Sequence, residues 1–86
     1  MENYKIEISR SAEKVLFKLP KADVQKIIPA IQALSTNPRP VGSRKLSGQI
    51  DTFRIRIGVY RVIYEVHDKL LIIKVLKVGN RKDVYR

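Results

Sequence analysis

Phe53-Arg54-Ile55-Arg56-Ile57-Gly58-Val59-Tyr60-Arg61-Val62-Ile63-Tyr64 is the stretch on which the reading of the fold turns. Phe53, Ile55 and Ile57 alternate with Arg54 and Arg56. Period two over a short run describes a strand with one buried face. The pattern sets a strand from about Thr52 to Ile57, a turn at Gly58, and a second strand from Val59 to Val66. His67-Asp68 is the next turn, and a third strand runs from Lys69 to Val78 and stops at Gly79. Turns this short require antiparallel neighbours, so the second half of the chain predicts a three-strand meander.

Working back toward the start, Asn37-Pro38-Arg39-Pro40 breaks any regular pattern, and Gly42 and Gly48 flank a basic loop holding Arg44 and Lys45. Before it, Val24, Ile27, Ile28, Ile31 and Leu34 form the apolar stripe of a helix over about 21–35, with Pro29 inside it and a kink expected there. Ala12, Val15, Leu16 and Leu19 fall at i, i+3, i+4 and i+7 and make a first helix, with Ser11 as its expected cap and Glu13 in its first turn. Pro20 separates the two helices and suggests an antiparallel hairpin. Tyr4, Ile6 and Ile8 alternate with polar residues as an opening strand, whose place in the sheet the pattern leaves open. The expected fold is α+β: strand, two-helix hairpin and three-strand meander, the helices covering one face of an antiparallel sheet, as a single domain over 1–86.

The chain has 86 residues, 44% of them hydrophobic, which suits one packed domain. It contains no cysteine, which removes disulfide scaffolds and cysteine-ligated zinc and makes a reducing cytoplasm the expected location. The start lacks the apolar run of a signal peptide, and Leu70 to Leu76, interrupted by Lys74, is too short to cross a bilayer. Eighteen Lys and Arg stand against eight Asp and Glu, a net charge of +10, with nine positive and four negative residues in 1–50 and again in 51–86. Such an excess spread through the body calls for a polyanionic partner, because neutralised phosphates release counterions.

Chemistry can therefore sit on the polar face of the 52–57 strand. Arg54 and Arg56 should meet solvent or a ligand, and arginine suits phosphate because its planar fork donates hydrogen bonds in pairs and keeps its charge. A hairpin at Gly58 brings Arg61 close to Arg56. Arg81 and Lys82 follow the last strand, and Tyr85 can stack on a base or carry a proton. Arg44, Lys45, Lys74 and Lys82 are further candidate RNA contacts. Each of these also has a plain reading as a solvated charge or a packing tyrosine. His67, the single histidine, reads as a turn residue. There is no carboxylate pair, Gly-rich phosphate loop or metal-ligand cluster, so no metal or cofactor is expected.

The 53–64 stretch, with Leu46-Ser47-Gly48 before it and Val78-Gly79-Asn80-Arg81-Lys82-Asp83-Val84-Tyr85 after it, resembles the signature of the RelE/ParE toxin superfamily over nearly the whole chain. The resemblance implies a cytoplasmic toxin held inactive by a cognate antitoxin, with operator DNA reached only through the antitoxin complex and no membrane partner. RelE-like members cut mRNA in the ribosomal A site by attack of a 2′-hydroxyl on the adjacent phosphate, blocking translation. Carried over residue by residue, the catalytic set becomes Arg54, Arg56, Arg61, Arg81 and Tyr85. Relatives that place lysine where Arg54 and Arg56 stand hold a better proton acceptor there. The alternatives that the resemblance leaves open are a ParE-like DNA gyrase inhibitor and a non-catalytic member that only binds antitoxin and operator.

Overall fold

The computed structural model describes residues 3–46 and 51–80. In chain order the elements are β1 (Lys5–Ile8), α1 (Arg10–Lys18), α2 (Lys21–Ala33), β2 (Arg44–Lys45), β3 (Thr52–Ile57), β4 (Tyr60–His67) and β5 (Ile72–Asn80). The strands make one sheet in the order β1-β5-β4-β3-β2. α1 lies against β5 and α2 against β3. This is the expected α+β arrangement with both helices on one face, and the β3-β4-β5 meander is antiparallel throughout.

The sheet departs from expectation in two places. β1 runs parallel to β5, from Lys5 opposite Ile72 to Ile8 opposite Val75, so the sheet is mixed. The helix layer carries the chain to the far edge, and three reversals then return β5 alongside β1 in the same direction. The basic loop is partly a strand as well: β2 pairs Arg44 with Arg54 and Lys45 with Phe53. Two residues are too few to show a period.

Boundaries shift for local reasons. Ser9, not Ser11, caps α1: its hydroxyl accepts from the Ala12 N–H at 3.1 Å and donates to the Leu76 carbonyl at 2.8 Å. Ser11 sits in the first turn and reaches the same carbonyl at 3.3 Å. Gly58 adopts φ +60 in the β3–β4 turn, a region that glycine enters without a Cβ penalty. His67 belongs to the end of β4 rather than to the turn, which runs from Asp68 to Leu71. A bulge interrupts β4–β5: Ile63 faces Lys77 while Tyr64 faces Val75, leaving Leu76 as the extra residue.

The core joins both layers. Ala12, Ile27, Ile31 and Leu34 from the helices meet Phe53, Ile55, Val62, Tyr64, Val66, Ile73, Val75 and Val78 from the sheet. Tyr64 is fully buried, its ring stacks on Phe53 at 5.9 Å, and its hydroxyl donates to the Pro38 carbonyl at 2.7 Å. Arg39 lies over the other aromatic, 5.3 Å from the Phe53 ring centre, and its guanidinium bridges Asp51 at 2.9 Å and Asp68 at 2.8 Å. These contacts strap residues 38–39 across the end of the sheet.

Burial pushes the Tyr64 phenol up to about 12. An unfolded tyrosine ionises near pH 10, so the stabilisation carried by the neutral phenol is complete below about pH 10 and is lost as pH rises toward 12. Two pH units amount to about 2–3 kcal/mol. Thermal unfolding should therefore fall steeply between about pH 10 and 12, and Tyr64→Phe should flatten that limb. An alkaline profile identical in the two proteins would show that Tyr64 does not govern it.

Candidate active site on the sheet face away from the helices

Cross-strand register decides which side chains share a face. Opposite residues project to the same side, so Arg44, Arg54, Ile63 and Lys77 form one row across β2, β3, β4 and β5. Arg56, Arg61 and Gly79 form the next row. All of them lie opposite the face that carries Phe53, Ile55, Val62 and Tyr64 into the core. Two neighbouring rungs are thus arginine against arginine: Arg44–Arg54 and Arg56–Arg61. Cβ atoms in such pairs stand about 4.5–5.5 Å apart, and like charges directly opposite destabilise a sheet. Two such rungs side by side oppose folding and suit an anionic ligand.

The carboxylates that might neutralise them are engaged elsewhere. Asp51 and Asp68 serve Arg39, Asp51 also pairs with Lys45 at 3.2 Å, and Asp23 accepts from the Tyr60 hydroxyl at 2.6 Å. Glu65 lies 2.9 Å from His67 Nε2. The Arg39 guanidinium holds the Asp51 and Asp68 carboxyls below the usual carboxylate range. Among the described residues no carboxylate bridges Arg44, Arg54 or Arg56.

Of the two expected surroundings of Arg54, solvent or a ligand, burial removes the first. Its residue surface is 4% exposed, and its Nε and Nη1 are buried with no hydrogen-bond partner among the described residues. The reason is β2, which places Arg44 on one side of it while Ile63 stands on the other. Leaving guanidinium donors dry and unpaired costs stability. Arg54 borders a concavity of about 520 Å³ lined by Val41, Gly42, Ser43, Arg44, Arg54, Ile55 and Arg56. Gly42 shapes this hollow: at φ +93 it turns the chain back, and the Ser43 N–H closes on the Pro40 carbonyl at 2.9 Å. Arg56 is exposed and Arg61 half-buried. Gly79, opposite Arg61, contributes no side chain to that end of the face.

Forked donors on adjacent rungs can grip phosphate oxygens or a carboxylate in pairs. The structure brings Arg44, Arg54, Arg56 and Arg61 together. Lys45 points to the other side of β2 and is tied to Asp51. Lys74 shares the arginines' face but stands between Glu65 and Glu7 in register, nearer the opposite end of β5. His67 stays apart from the arginines. Lys77 escaped the sequence reading: the bulge at Leu76 reverses the alternation and puts it on the same face as Arg54. Arg39 also escaped, since an arginine between prolines looks like an ordinary loop residue and its two aspartates are distant in sequence. Arg81, Lys82 and Tyr85 lie outside the described residues. Among the described residues no three His, Cys, Asp or Glu cluster as metal ligands, and no helix is long and apolar enough to cross a membrane.

The family model described as the ParE toxin of the type II toxin–antitoxin system, parDE, matches residues 6–85. The chain is 33% identical to the putative toxin RelE1 of Methanocaldococcus jannaschii, covering 96% of each chain. It is also 33% identical to toxin RelG of Mycobacterium tuberculosis, covering 96% of this chain and 97% of that one. Its fold superimposes on the toxin in the archaeal RelE–RelB complex from Pyrococcus horikoshii with a TM-score of 0.81, at 32% identity over 95% of this chain and 99% of that one.

Proposed function

Because this chain belongs to the RelE/ParE family of toxins from type II toxin–antitoxin systems, we propose that it acts as a ribosome-dependent endoribonuclease that cuts mRNA in the A site. The observation that carries this reading is the pair of arginine rungs, Arg44–Arg54 and Arg56–Arg61, around a hollow bordered by a buried guanidinium, two of whose nitrogens have no hydrogen-bond partner among the described residues. In the proposed reaction the 2′-oxygen of one nucleotide attacks the adjacent phosphorus. The P–O5′ bond breaks, the 2′-hydroxyl gives up its proton and the departing 5′-oxygen gains one. The products are a 2′,3′-cyclic phosphate and a 5′-hydroxyl.

Arg56 and Arg61 stabilise the extra negative charge on the five-coordinate phosphorus. Arg54 fixes a phosphate oxygen from the floor of the hollow, and Arg44 and Lys77 hold the flanking strand. Arg81 and Tyr85 enter through the family resemblance, Arg81 near the departing 5′-oxygen and Tyr85 as a proton carrier or stacking partner. Arginine is a poor base at neutral pH. Orientation on the ribosome then supplies much of the rate, since positioning alone is worth roughly 7–11 kcal/mol. Activity on free RNA should be feeble.

Primer extension on mRNA in purified translating ribosomes tests this reading. New 5′ ends at A-site codons, absent when the same RNA is naked, are expected. Intact mRNA in the presence of protein that is toxic when expressed would favour the second reading, inhibition of DNA gyrase, to which the matched parDE family model lends weight. A supercoiling assay then decides.

A further inference from the structure

β2 is held to the sheet against its own charge. It has two residues, shorter than strands usually run, and one of them, Arg44, stands directly opposite Arg54. Like charges on one rung push strands apart. A backbone bond secures its exit, from the Leu46 N–H to the Thr52 carbonyl at 2.8 Å. The Asp51 carboxylate adds a second attachment, and its two oxygens hold the two ends of one segment. Oδ1 pairs with the Lys45 ammonium at 3.2 Å and Oδ2 with the Arg39 guanidinium at 2.9 Å. Between Arg39 and Lys45 lie Val41, Gly42, Ser43 and Arg44, which line the arginine hollow together with Arg54 and Arg56. The two ends are unequal. Arg39 is also held by Asp68 at 2.8 Å and stacks on Phe53, and the Tyr4 hydroxyl fixes Asp68 at 2.6 Å. The Lys45 side chain is 58% exposed and relies on Asp51. Asp51 has a firm mount, since its carbonyl accepts from the N–H of buried Val66 on β4 at 2.8 Å.

We propose that Asp51 is a positioning residue: its carboxylate is a clasp that closes the 39–45 segment beside Arg54 and so sets the shape of the arginine hollow, acting through Arg44 and Arg54. Partly exposed ion pairs add little to global stability, so the clasp acts locally. With it released, the Arg44–Arg54 repulsion drives β2 away, Arg54 gains water and the hollow loses a wall. Bulk electrostatics argues the opposite sign. Asp51 is a negative group beside a cationic face, and by charge alone its removal tightens anion binding. The two accounts therefore predict opposite changes from one substitution. The use of the hollow for RNA rests on the nuclease reading; the clasp does not.

The probe is hexadeoxyuridylate, which lacks the 2′-hydroxyl and is not cut. It is titrated into the intact protein at fixed ionic strength and followed by amide NMR shifts at Ser43 and Arg54–Arg56. Asp51→Asn keeps the shape and removes the charge. It should bind the probe about tenfold more weakly although the protein becomes more positive. Its Leu46 amide should exchange about tenfold faster, while the buried Val62 and Ile73 amides stay within about threefold of the parent. Asp51→Glu keeps the charge and should recover most of both properties. Lys45→Gln frees the weaker end alone and should speed Leu46 exchange to a similar degree. Probe binding by Asp51→Asn as tight as the parent's, or tighter, would make Asp51 an ordinary neighbouring charge and overturn the proposal. Leu46 exchange left unchanged by Lys45→Gln would overturn it too, as would Leu46, Val62 and Ile73 all accelerating together in Asp51→Asn. Leu46 exchange is read without ligand or cleavage, so a parent protein that cuts no mRNA would count against the nuclease reading and leave this test intact.

Discussion

Arg61→Ala should lower mRNA cleavage on ribosomes by about 10²- to 10³-fold. A single preorganised donor aimed at charge that develops in the transition state is worth about that factor. Arg61 is well placed for it, directly across the sheet from Arg56 and beside the side-chain-free Gly79. Arg56→Ala should lower cleavage to a similar degree. The like-charged rung costs the folded state, so removing its exposed member, Arg56, releases up to about 1 kcal/mol of repulsion, and the melting temperature of Arg56→Ala should stay level or rise. The double variant should lose less than the product of the two, because both arginines act on one phosphate. Arg61→Lys keeps the charge but not the fork and should recover only part of the rate. Single-turnover cleavage beside thermal melts gives both readouts. Cleavage by Arg61→Ala within about threefold of the parent would remove this residue from the chemistry.

Arg54→Met should separate stability from activity more sharply. The methionine keeps a long flexible stem and removes a guanidinium that is 4% exposed, with two nitrogens unpaired among the described residues. Replacing a buried charge by an apolar side chain of similar reach can stabilise a protein by about 1–4 kcal/mol. The same change strips the hollow of its buried donor, so cleavage should fall by about 10²-fold. A variant that melts higher yet cuts poorly would mark Arg54 as retained for function at the expense of the fold. A variant that melts lower would mean that the charge already has compensation within the protein, and the anion-receptor reading of this hollow would fail.

The parts of this molecule with a local period were legible from sequence. The stripe through Ile27, Ile31 and Leu34 and the alternation of Phe53, Arg54, Ile55 and Arg56 both report which face is buried, because side-chain direction repeats every 3.6 or 2 residues. Features set by distant contacts were hidden. β2 has two residues and exists only because β3 pairs with it. The single extra residue Leu76 reverses the alternation in β5, which brings Lys77 to the arginine face and keeps Lys74 there with it. Ser9 caps the helix because it stands just before the first turn, where its hydroxyl meets the Ala12 N–H, a boundary that the apolar spacing alone does not mark. Arg54, Arg56 and Arg61 were visible as candidates from the residue types and the turn at Gly58. The burial of Arg54 was not, since it depends on a strand that carries no period of its own.

The pairing of β1 with β5 has a consequence for synthesis. Lys5–Ile8 finds its partner in Ile72–Val75, almost the full length of the described chain later. Contacts so distant in sequence close late in folding, after the loop entropy between them has been overcome. A nascent chain therefore holds an opening strand with nowhere to dock and an unfinished sheet until Ile72–Val75 has been made. A protein proposed to halt ribosomes thus has no complete sheet while the ribosome that makes it is still short of β5.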